Sequence, residues 1–347
     1  MTLALLKKLC SFLVLTWIAV SLAACGNFLP GDNKSNQPLS GSLQSALRSI
    51  GSTPGDPMVV RIFKEDKTLE VWKRTNTGAF KMLKSYEICA FSGDFGPKIK
   101  EGDRQSPEGF YNITPGLLNP KSSYYLSFNT GFPNKFDRSW GRTGSELMVH
   151  GDCSSRGCYA MTDEGIAEIY ALARETFKGG NPTFQLQIFP FHMTAAKLAK
   201  ENTSTNLAFW KNIKEGYDLF ELNKTPAAWD VCERKYVFNV NSAAPLDAVG
   251  ACPVIAKDQT LLAKQAADEA AFASQVEGIQ KDEARAAADA AQKVADDAAA
   301  KARGEAINST VNNVFGGIGG LFGKHEDVAP VMSGKPAPMP MPPLNRT

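Results

Sequence analysis

An alanine-rich stretch at residues 257–307 restricts where this chain can build a hydrophobic core. It consists mainly of alanine interleaved with Lys, Arg, Asp and Glu, and Gly278 and Gly304 are its only obvious helix breakers. This composition predicts one helix of about 50 residues, roughly 75 Å long at 1.5 Å per residue. Beyond it, the glycine- and proline-rich residues 308–347 are expected to be disordered.

The predicted long helix has few large apolar side chains. They form a thin stripe: Leu262, Phe272, Val276, Ile279 and Val294. Because this stripe does not sustain a heptad repeat, a solvated spacer is favoured over a weak coiled coil or an arm that lies on a surface.

The composition of the whole chain is that of a globular protein. Its 347 residues suffice for one or two domains. Lys and Arg number 38 and Asp and Glu 36, and the resulting net charge of +2 argues against a protein that binds nucleic acid. Only three histidines are present (His150, His192 and His325), too few for a multi-histidine metal site. We therefore expect no metal and no cofactor.

The N-terminus has the order of parts of an export signal. Lys7 and Lys8 precede an apolar run at residues 9–20, which is shorter than the about 20 residues of a membrane-spanning helix. The residues Leu-Ala-Ala-Cys that end at Cys25 resemble a bacterial lipobox, in which the cysteine is lipidated. An ordinary signal peptide that happens to end near a cysteine is the alternative.

A lipid anchor at Cys25 would hold the mature protein at a membrane surface. We expect a signal peptide at residues 1–24 and a flexible tether at residues 25–57, which are rich in Gly, Ser, Pro, Asn and Gln. Gly26 stands where lipoproteins retained in the inner membrane often carry aspartate. In a Gram-negative organism this favours a periplasmic protein on the outer membrane.

Export also changes the meaning of the seven cysteines. Cys10 lies in the signal and Cys25 would carry the lipid, which leaves 7 − 2 = 5 in the mature chain. The five are Cys89, Cys153, Cys158, Cys232 and Cys252. An oxidising compartment favours disulfides, and an odd number leaves at least one thiol free or reserved for chemistry. Cys232 and Cys252 are expected to form a disulfide. Cys89 and Cys153 are expected to be structural, either as buried thiols or as a disulfide.

Short strand-like runs begin at Met58 and predict an α+β, mainly β domain over residues 58–240. One convincing helix interrupts the strands, from Thr162 to Phe177, with Thr162 as its N-cap. Residues 194–224 have a helical pattern and form a helical extension of this domain.

A histidine and a cysteine lie close together in the segment that leads into this helix. A thiol nucleophile needs a base within hydrogen-bond reach and donors for the developing oxyanion. His150 ends a predicted strand, Cys158 precedes the helix, and the amides of Gly157 and Cys158 are natural oxyanion donors. A helix N-terminus and a neighbouring histidine would lower the pKa of this thiol. Two cysteines and a histidine at this spacing would equally suit a structural or metal cluster, so spacing alone does not decide for catalysis.

The wording of these residues is more specific than their spacing. His-Gly-Asp-Cys from His150 and Gly-Cys-Tyr-Ala-Met from Gly157 resemble the signature of the L,D-transpeptidase catalytic domain, the YkuD-like fold, in its YafK-type branch. Other segments share the resemblance: Ile88 to Gly93, Glu101 to Tyr111, Gly131 to Asn134, Phe189 to Phe191 and Gly216 to Asp218. It covers roughly residues 58–238, and the helix beyond residue 257 has no counterpart in it.

The resemblance implies a cell-envelope cysteine acyltransferase that acts on diaminopimelate-containing stem peptides of peptidoglycan. It implies Cys158 as the nucleophile that carries the acyl group, His150 as the base, Gly157 in the oxyanion turn and Ser155 at the family's serine. Arg156 stands where most members have a second histidine. The YafK-type branch shares this departure and the short spacer, and its best-understood activity is hydrolytic.

Two alternatives therefore stay open. One is a hydrolytic amidase of the same fold that releases a covalently attached lipoprotein from peptidoglycan. The other is a non-catalytic lipoprotein that binds peptidoglycan, although a binding module has no need of the His150/Cys158 pair. Arg156, Lys98 and Arg138 are candidates for binding the acidic stem, and each could instead be a solvated or structural charge.

Overall fold

The computed structural model of the chain describes residues 33–318. The predicted signal peptide, the lipidation site at Cys25 and residues 319–347 of the predicted tail lie outside the described residues. The strands are β1 (Met58–Phe63), β2 (Thr68–Arg74), β3 (Phe80–Glu87), β4 (Ala90–Phe91), β5 (Gly109–Ile113), β6 (Leu118–Asn119), β7 (Ser127–Asn129), β8 (Met148–His150), β9 (Tyr159–Ala160), β10 (Phe184–Phe189), β11 (Trp229–Cys232) and β12 (Lys235–Phe238). The α-helices are α1 (Gly41–Ser49), α2 (Lys135–Ser139), α3 (Asp163–Lys178), α4 (Ala195–Lys200), α5 (Leu207–Asn223) and α6 (Gln259–Ile318).

Two five-stranded sheets and a β11–β12 hairpin form the β-structure of the described chain. The first sheet has the order β3-β2-β1-β10-β5, and its central strand β1 runs parallel to β10 and antiparallel to β2. All six side chains of β1 are buried, whereas those of β2 alternate between buried and partly exposed. This is the difference expected between a strand covered on both faces and one covered on a single face. The predicted α+β class is confirmed.

The second sheet, in the order β4-β9-β8-β7-β6, contains an unusual connection. Strands β8 and β9 are parallel neighbours, with His150 opposite Ala160, yet only residues 151–158 join them. Parallel strands ordinarily need a crossover of a dozen or more residues. The short connection therefore turns sharply, and Asp152, Cys153 and Gly157 all have positive φ angles. This strained connection lies between the two residues that the sequence picks out as base and nucleophile.

Helix α3 begins where the sequence predicts a helix start. The Thr162 hydroxyl accepts a hydrogen bond from the Gly165 amide at 3.0 Å, and Asp163 and Glu164 occupy the first turn. The predicted apolar stripe is buried in the main core, which also takes in side chains from both large sheets. Its members are Ile166, Ile169, Tyr170 and Ala173. The cap residue and the amphipathic pattern together located this helix, because one of its faces meets the core and the other meets solvent.

A buried ion pair holds the long loop at residues 92–108 to the first sheet. Lys64, just after β1, and Glu108 are both fully buried, with Nζ and Oε1 2.9 Å apart. The Lys64 ammonium also donates to the carbonyls of Gly96 and Ser106, at 3.1 and 2.8 Å. Glu108 accepts from the Gly96 amide at 2.7 Å and from the Trp210 indole of α5 at 2.9 Å. The charged groups of Lys64 and Glu108 therefore find their hydrogen-bond partners within the protein.

The predicted tether at residues 25–57 is not a free linker over its described part. Helix α1 begins at the N-cap Ser40, whose hydroxyl accepts from the Leu43 amide at 3.2 Å. Leu43 and Leu47 are buried in the main core, and Arg174 of α3 donates to backbone carbonyls just before α1. Composition predicted a linker because the segment is rich in small and polar residues. Leu43 and Leu47, four residues apart, nevertheless lie on one face of α1 and are enough to dock this short helix on the main core.

Helix α6 differs in two respects from the predicted spacer. It is 60 residues long and continues to Ile318, so the predicted disordered tail from residue 308 is helical at its start. Gly278 and Gly304 do not interrupt it, because a glycine in a helix interior costs only about 1 kcal/mol among strong helix formers. Among the described residues, no helix is long and apolar enough to cross a membrane.

The second difference is that the first turns of α6 are docked and not solvated. Leu261, outside the predicted stripe, is buried in a second core with Trp210 and Ile213 of α5, whereas Leu262 is exposed. Asp268 pairs with Lys214, and Phe272 packs partly against the same core. The first compact unit of the chain ends at Ile279, and from residue 280 the described side chains of α6 are exposed.

We predict that Leu261→Ala lowers the free energy of unfolding by about 2–5 kcal/mol, because it removes a buried leucine from a packed core. Val294→Ala on the same helix is the matched control. Val294 is 70% exposed, so its truncation should change the free energy by less than about 0.5 kcal/mol. Urea denaturation followed by circular dichroism measures both, and equal effects would contradict a docked N-terminal part of α6.

Candidate active site

Cys158 lies at the end of the β8–β9 connection, in a turn held by Ser155. The Ser155 hydroxyl donates to the Cys158 carbonyl at 2.7 Å and accepts from the Cys158 amide at 3.1 Å. Gly157 is buried between them with φ of +107°, a conformation that L side chains rarely adopt. A second hydroxyl, that of the buried Ser106, donates to the same Cys158 carbonyl at 3.0 Å. The backbone of the cysteine is thus fixed from two sides.

Cys158 is the one free thiol among the described residues, and it is half-buried. The Met148 amide of β8 donates to Sγ at 3.4 Å, and Sγ donates to the Glu146 carbonyl at 3.6 Å. The thiol therefore faces the start of the neighbouring strand, two residues before His150. Sulfur contacts of this length are weak, and they leave the thiol available for chemistry.

His150 is buried at the end of β8, and its ring is oriented by backbone. Nδ1 lies 2.5 Å from the Gly151 carbonyl oxygen. A carbonyl only accepts, so Nδ1 carries a proton and Nε2 is the nitrogen left to take one up. Gly151 is fixed in turn, because its amide donates to the carbonyls of Tyr124 and Leu126 at 3.1 and 3.2 Å. A Cβ at Gly151 would meet the Asp163 carboxylate at 2.4 Å, so the backbone approach requires glycine.

No hydrogen bond joins His150 to Cys158 in the described part of the chain. The two residues are brought together by the parallel pairing of β8 and β9, in which His150 lies opposite Ala160, two residues after the cysteine. Catalytic hydrogen bonds are often long in proteins without substrate, so this arrangement is compatible with a base and a nucleophile that meet when substrate binds.

The two titrating groups are both shifted toward their neutral forms. Burial lowers the pKa of His150, and this outweighs the opposing effects of the Gly151 carbonyl and Asp152. Burial also raises the pKa of the Cys158 thiol; the Glu146 carboxylate adds to the rise, whereas the Met148 amide and Lys98 oppose it. The resting pair is thus a neutral imidazole and a neutral thiol.

This result corrects the expectation that a helix N-terminus lowers the pKa of Cys158. Strand β9 and Met161 separate the cysteine from α3, and the first turn of the helix directs its Gly165 amide to Thr162. The field of a helix end falls off within about one turn, so the thiol gains little from it. Burial is then the larger effect.

One of the two amides expected to stabilise an oxyanion is already hydrogen-bonded. The Cys158 amide is taken up by the Ser155 hydroxyl, so it cannot also stabilise an oxyanion in this conformation. The Gly157 amide makes no hydrogen bond among the described residues. The role of Gly157 as an oxyanion donor stays a prediction, and Ser155 holds the turn at residues 155–158 through its two hydrogen bonds to Cys158.

Disulfides account for the other four cysteines of the described chain. Cys89 bonds to Cys153 within the β8–β9 connection, and Cys232 bonds to Cys252 in the segment before α6. The second bridge was predicted. The first resolves the two options left open for Cys89 and Cys153, and it fastens the connection between His150 and Cys158 to the residue that precedes β4.

The three predicted stem-binding cations lie in different environments. Arg156 is exposed beside Cys158, and no side chain of the described residues pairs with it. Arg138 is exposed on α2 and donates to the Pro133 carbonyl. Lys98 is 3% exposed, and its ammonium pairs with Asp103. Substrate binding by these residues stays a prediction, and Arg156 is the one whose charge is free to meet a carboxylate.

Two residues at the site escaped the sequence analysis. The Tyr124 ring packs on the His150 imidazole with centroids 4.8 Å apart, and the tyrosine is 48% exposed. Ser106 reaches Cys158 from the loop at residues 92–108. Both contacts join residues far apart in the sequence. Ser106 lies inside the Glu101–Tyr111 segment of the resemblance, which was the available signal.

His192 packs on the Phe63 ring, with centroids 3.9 Å apart and a contact to Asp66 at 3.5 Å, away from the described thiol. Among residues 33–318, no group of three or more His, Cys, Asp or Glu side chains is arranged to hold a metal ion.

Comparisons with known proteins agree on one family. The YkuD family model, described as the L,D-transpeptidase catalytic domain, matches residues 57–182. The chain is 39% identical over 246 residues to "Putative L,D-transpeptidase YafK" of Escherichia coli K12, an alignment that covers 70% of this chain and 96% of the relative.

Solved structures share less with the chain. The helical cell shape determining protein Pgp2 of Campylobacter jejuni is 20% identical, with a TM-score of 0.32 over 54% of this chain and 80% of Pgp2. Bd1075 of Bdellovibrio bacteriovorus is 24% identical, with a TM-score of 0.29 over 41% of this chain and 51% of Bd1075.

We predict that the Cys158 thiol is not ionised in the resting protein. An ordinary cysteine is a few per cent thiolate at pH 7. Because the pKa of Cys158 is raised, its thiolate fraction at pH 7 should be smaller, and the thiol should ionise only as the pH rises through the raised value. Thiolate absorbance near 240 nm, taken as the difference from Cys158→Ala across pH 5–11, measures this. A thiolate signal already present below pH 7 would indicate an ion pair with His150 and contradict the prediction.

Proposed function

The chain belongs to the L,D-transpeptidase catalytic domain family, and on that premise we propose that it is a cell-envelope cysteine acyltransferase that acts on stem peptides of peptidoglycan. Its nucleophile is Cys158, and its base is His150. The proposed substrate is a stem peptide that contains diaminopimelate.

One observation carries the proposal. Among the described residues, Cys158 carries the single free thiol. It lies in the turn that leads into β9 and contacts β8, the strand that ends at the buried His150. The other cysteines of the described chain are in disulfides, so only Cys158 can act as a thiol nucleophile. A module that merely binds would not need this thiol and base beside an open amide.

The proposed reaction proceeds in two transfers. His150 Nε2 takes the thiol proton as Sγ attacks the carbonyl carbon next to diaminopimelate, and the negative charge moves to the carbonyl oxygen. The Gly157 amide is the proposed donor to that oxygen. When the carbonyl reforms, the C–N bond breaks, the leaving amine receives the proton from His150, and a thioester on Cys158 remains. An incoming amine or water then takes the acyl group, and the thiol is restored.

The resting protonation states suit this sequence of steps. A neutral imidazole can accept a proton at pH 7, and a neutral thiol has a proton to give, so the nucleophile forms when substrate is in place. Arg156 is proposed to bind a carboxylate of the stem, because it is exposed beside the turn and its planar guanidinium pairs with carboxylates in two parallel hydrogen bonds.

Hydrolysis is the second candidate, and a specific feature favours it. Arg156 stands in place of a second histidine next to the nucleophile, and the β8–β9 connection is short. On this alternative the acceptor is water, and the bond broken is the amide that attaches a lipoprotein to diaminopimelate. The chemistry at Cys158 is the same up to the thioester, so the acceptor is what an experiment has to identify.

We also propose that the protein acts from a membrane surface in the periplasm, more specifically from the outer membrane. The support is the order of charge, apolar run and lipobox that ends at Cys25. A lipid at this cysteine would hold the enzyme close to the peptidoglycan that it modifies.

We predict that purified muropeptides and lipoprotein–muropeptide conjugates are converted by the protein and left unchanged by Cys158→Ala, because only the nucleophile is lost. Mass spectrometry identifies the acceptor, since transpeptidation joins two stems and hydrolysis adds water. The Cys158→Ala protein should also form no covalent adduct with a carbapenem. A stable adduct on that variant, or turnover by it, would remove Cys158 as the nucleophile.

We predict that His150→Ala lowers the rate far more at pH 7 than at pH 9.5, by about 10²–10⁴-fold at the lower pH. At pH 9.5 a larger fraction of the thiol ionises without help than at pH 7, even with its raised pKa, and this partly replaces the missing base. Turnover of the best muropeptide substrate measures this, and His192→Ala, a histidine that packs on Phe63, is the control. Equal losses at both pH values would make His150 structural.

A further inference from the structure

The loop at residues 98–103 is closed around one carboxylate. Asp103 pairs with the buried ammonium of Lys98, and its other oxygen accepts from the Ile99 and Lys100 amides, both at 2.9 Å. Partial burial raises the pKa of Asp103, but hydrogen bonds from the Lys100 amide, the Lys98 ammonium and the Gln105 amide outweigh this and lower it to about 2. The carboxylate is therefore ionised throughout the working range of pH, and the Lys98 ammonium, with a further bond to the Lys100 carbonyl at 3.0 Å, is held in place.

This loop grips the segment at residues 143–146. The Thr143 amide donates to the Ile99 carbonyl at 3.1 Å, and the Thr143 hydroxyl accepts from the Glu101 amide at 3.1 Å. The Ser145 hydroxyl donates to the Glu101 carboxylate at 3.3 Å. Three hydrogen bonds within three residues are a dense connection between two loops that are otherwise irregular.

The side chain of Lys98 packs against the backbone of the segment at residues 143–146. A Cβ added at Gly144 would lie 2.5 Å from Lys98 Cε, so the backbone of the segment packs directly on the lysine stem. The segment then ends at Glu146, which has a φ of +54°, and the Glu146 carbonyl accepts from Sγ at 3.6 Å. A continuous series of contacts thus leads from the Lys98–Asp103 pair to the sulfur.

We propose that Lys98 is a positioning residue for Cys158: with Asp103 it fixes the segment at residues 143–146, which orients the thiol, and its ammonium supplies positive charge beneath that segment. The proposal rests on Cys158 as the nucleophile of the proposed function. It assigns Lys98 a role different from direct binding of the stem, since its ammonium is buried and paired.

The charges around the thiol support this role. Lys98 favours the thiolate and the Glu146 carboxylate opposes it. The other charged or titrating groups nearby are His150 on β8, Arg156 in the turn before Cys158, and Asp103, which pairs with Lys98. Removing the charge of Lys98 and removing that of Glu146 should therefore shift the pKa of the Cys158 thiol in opposite directions.

We predict opposite effects of two variants on the alkylation of Cys158 by iodoacetamide in the full chain. Lys98→Met keeps the packing stem and removes the charge, so the rate constant at pH 7 should fall by about 3- to 10-fold and the pH profile should move upward. Glu146→Gln keeps the backbone carbonyl, so the rate constant should rise by about 2- to 5-fold and the profile should move downward. Lys197→Met, which breaks an exposed ion pair with Glu65, is the control and should change neither.

A third variant isolates the mechanical link. Thr143→Val removes the hydroxyl that holds the Glu101 amide and leaves both charges in place, and Thr143 is exposed, so the fold should tolerate it. The rate should fall at every pH without a shift of the profile. This variant keeps the proposal testable even if Lys98→Met fails to fold, which circular dichroism would show.

Alkylation needs no peptidoglycan, so its outcome is independent of the proposed function. If muropeptides are not converted but the alkylation profile shifts as described, Lys98 still positions a reactive thiol, and the proposed peptidoglycan substrate is wrong. If Lys98→Met leaves the profile of alkylation unchanged and raises only the KM for muropeptides, Lys98 binds substrate and the positioning role is overturned. Unchanged alkylation in both Lys98→Met and Thr143→Val would overturn it as well.

Discussion

The buried ion pair of Lys64 and Glu108 is the interaction on which the rest of the site depends. Both side chains are fully removed from water, a cost that is recovered only when every donor and acceptor finds a partner. The partners here are backbone groups of the loop at residues 92–108 and the Trp210 indole. Loss of either charge would leave the other buried and unpaired, at about 3–5 kcal/mol. The loop is therefore held in place because the buried charges of Lys64 and Glu108 need its backbone groups as hydrogen-bond partners.

That loop in turn shapes the surroundings of the Cys158 thiol. It supplies Ser106, which holds the Cys158 carbonyl, and Lys98 with Asp103, which support the segment that faces the thiol. The opposite side of the site is held by the Cys89–Cys153 disulfide and by the Asp163 carboxylate, which accepts from the Asp152 amide at 2.9 Å. A connection too short for an ordinary parallel crossover is thus kept in one shape from both sides. The Cys158 thiol and the His150 imidazole lie at the two ends of this connection, on neighbouring strands.

Much of the fold followed from local patterns. Helix α3 and its cap were located from Thr162 and the spacing of apolar residues, because a cap and an amphipathic face are local properties. Helix α1 was missed, since its nine residues carry only Leu43 and Leu47 as signals and their burial depends on the distant α3. The docking of α6 through Leu261 was missed for the same reason. Alanine-rich composition predicts a helix, but a neighbouring helix decides which side chains are buried.

The sequence by itself determined the chemistry available: one family signature, His150 and Cys158 as the candidate pair, and glycines at Gly151 and Gly157 where the backbone must turn or approach closely. The tertiary structure alone decided how that chemistry is set. It determined that both groups are buried, which raises the pKa of Cys158 and lowers that of His150. It also decided that Ser155 occupies the Cys158 amide and that Lys98 lies beneath Gly144. Protonation and orientation depend on desolvation and on contacts between residues distant in sequence, and no local pattern contains either.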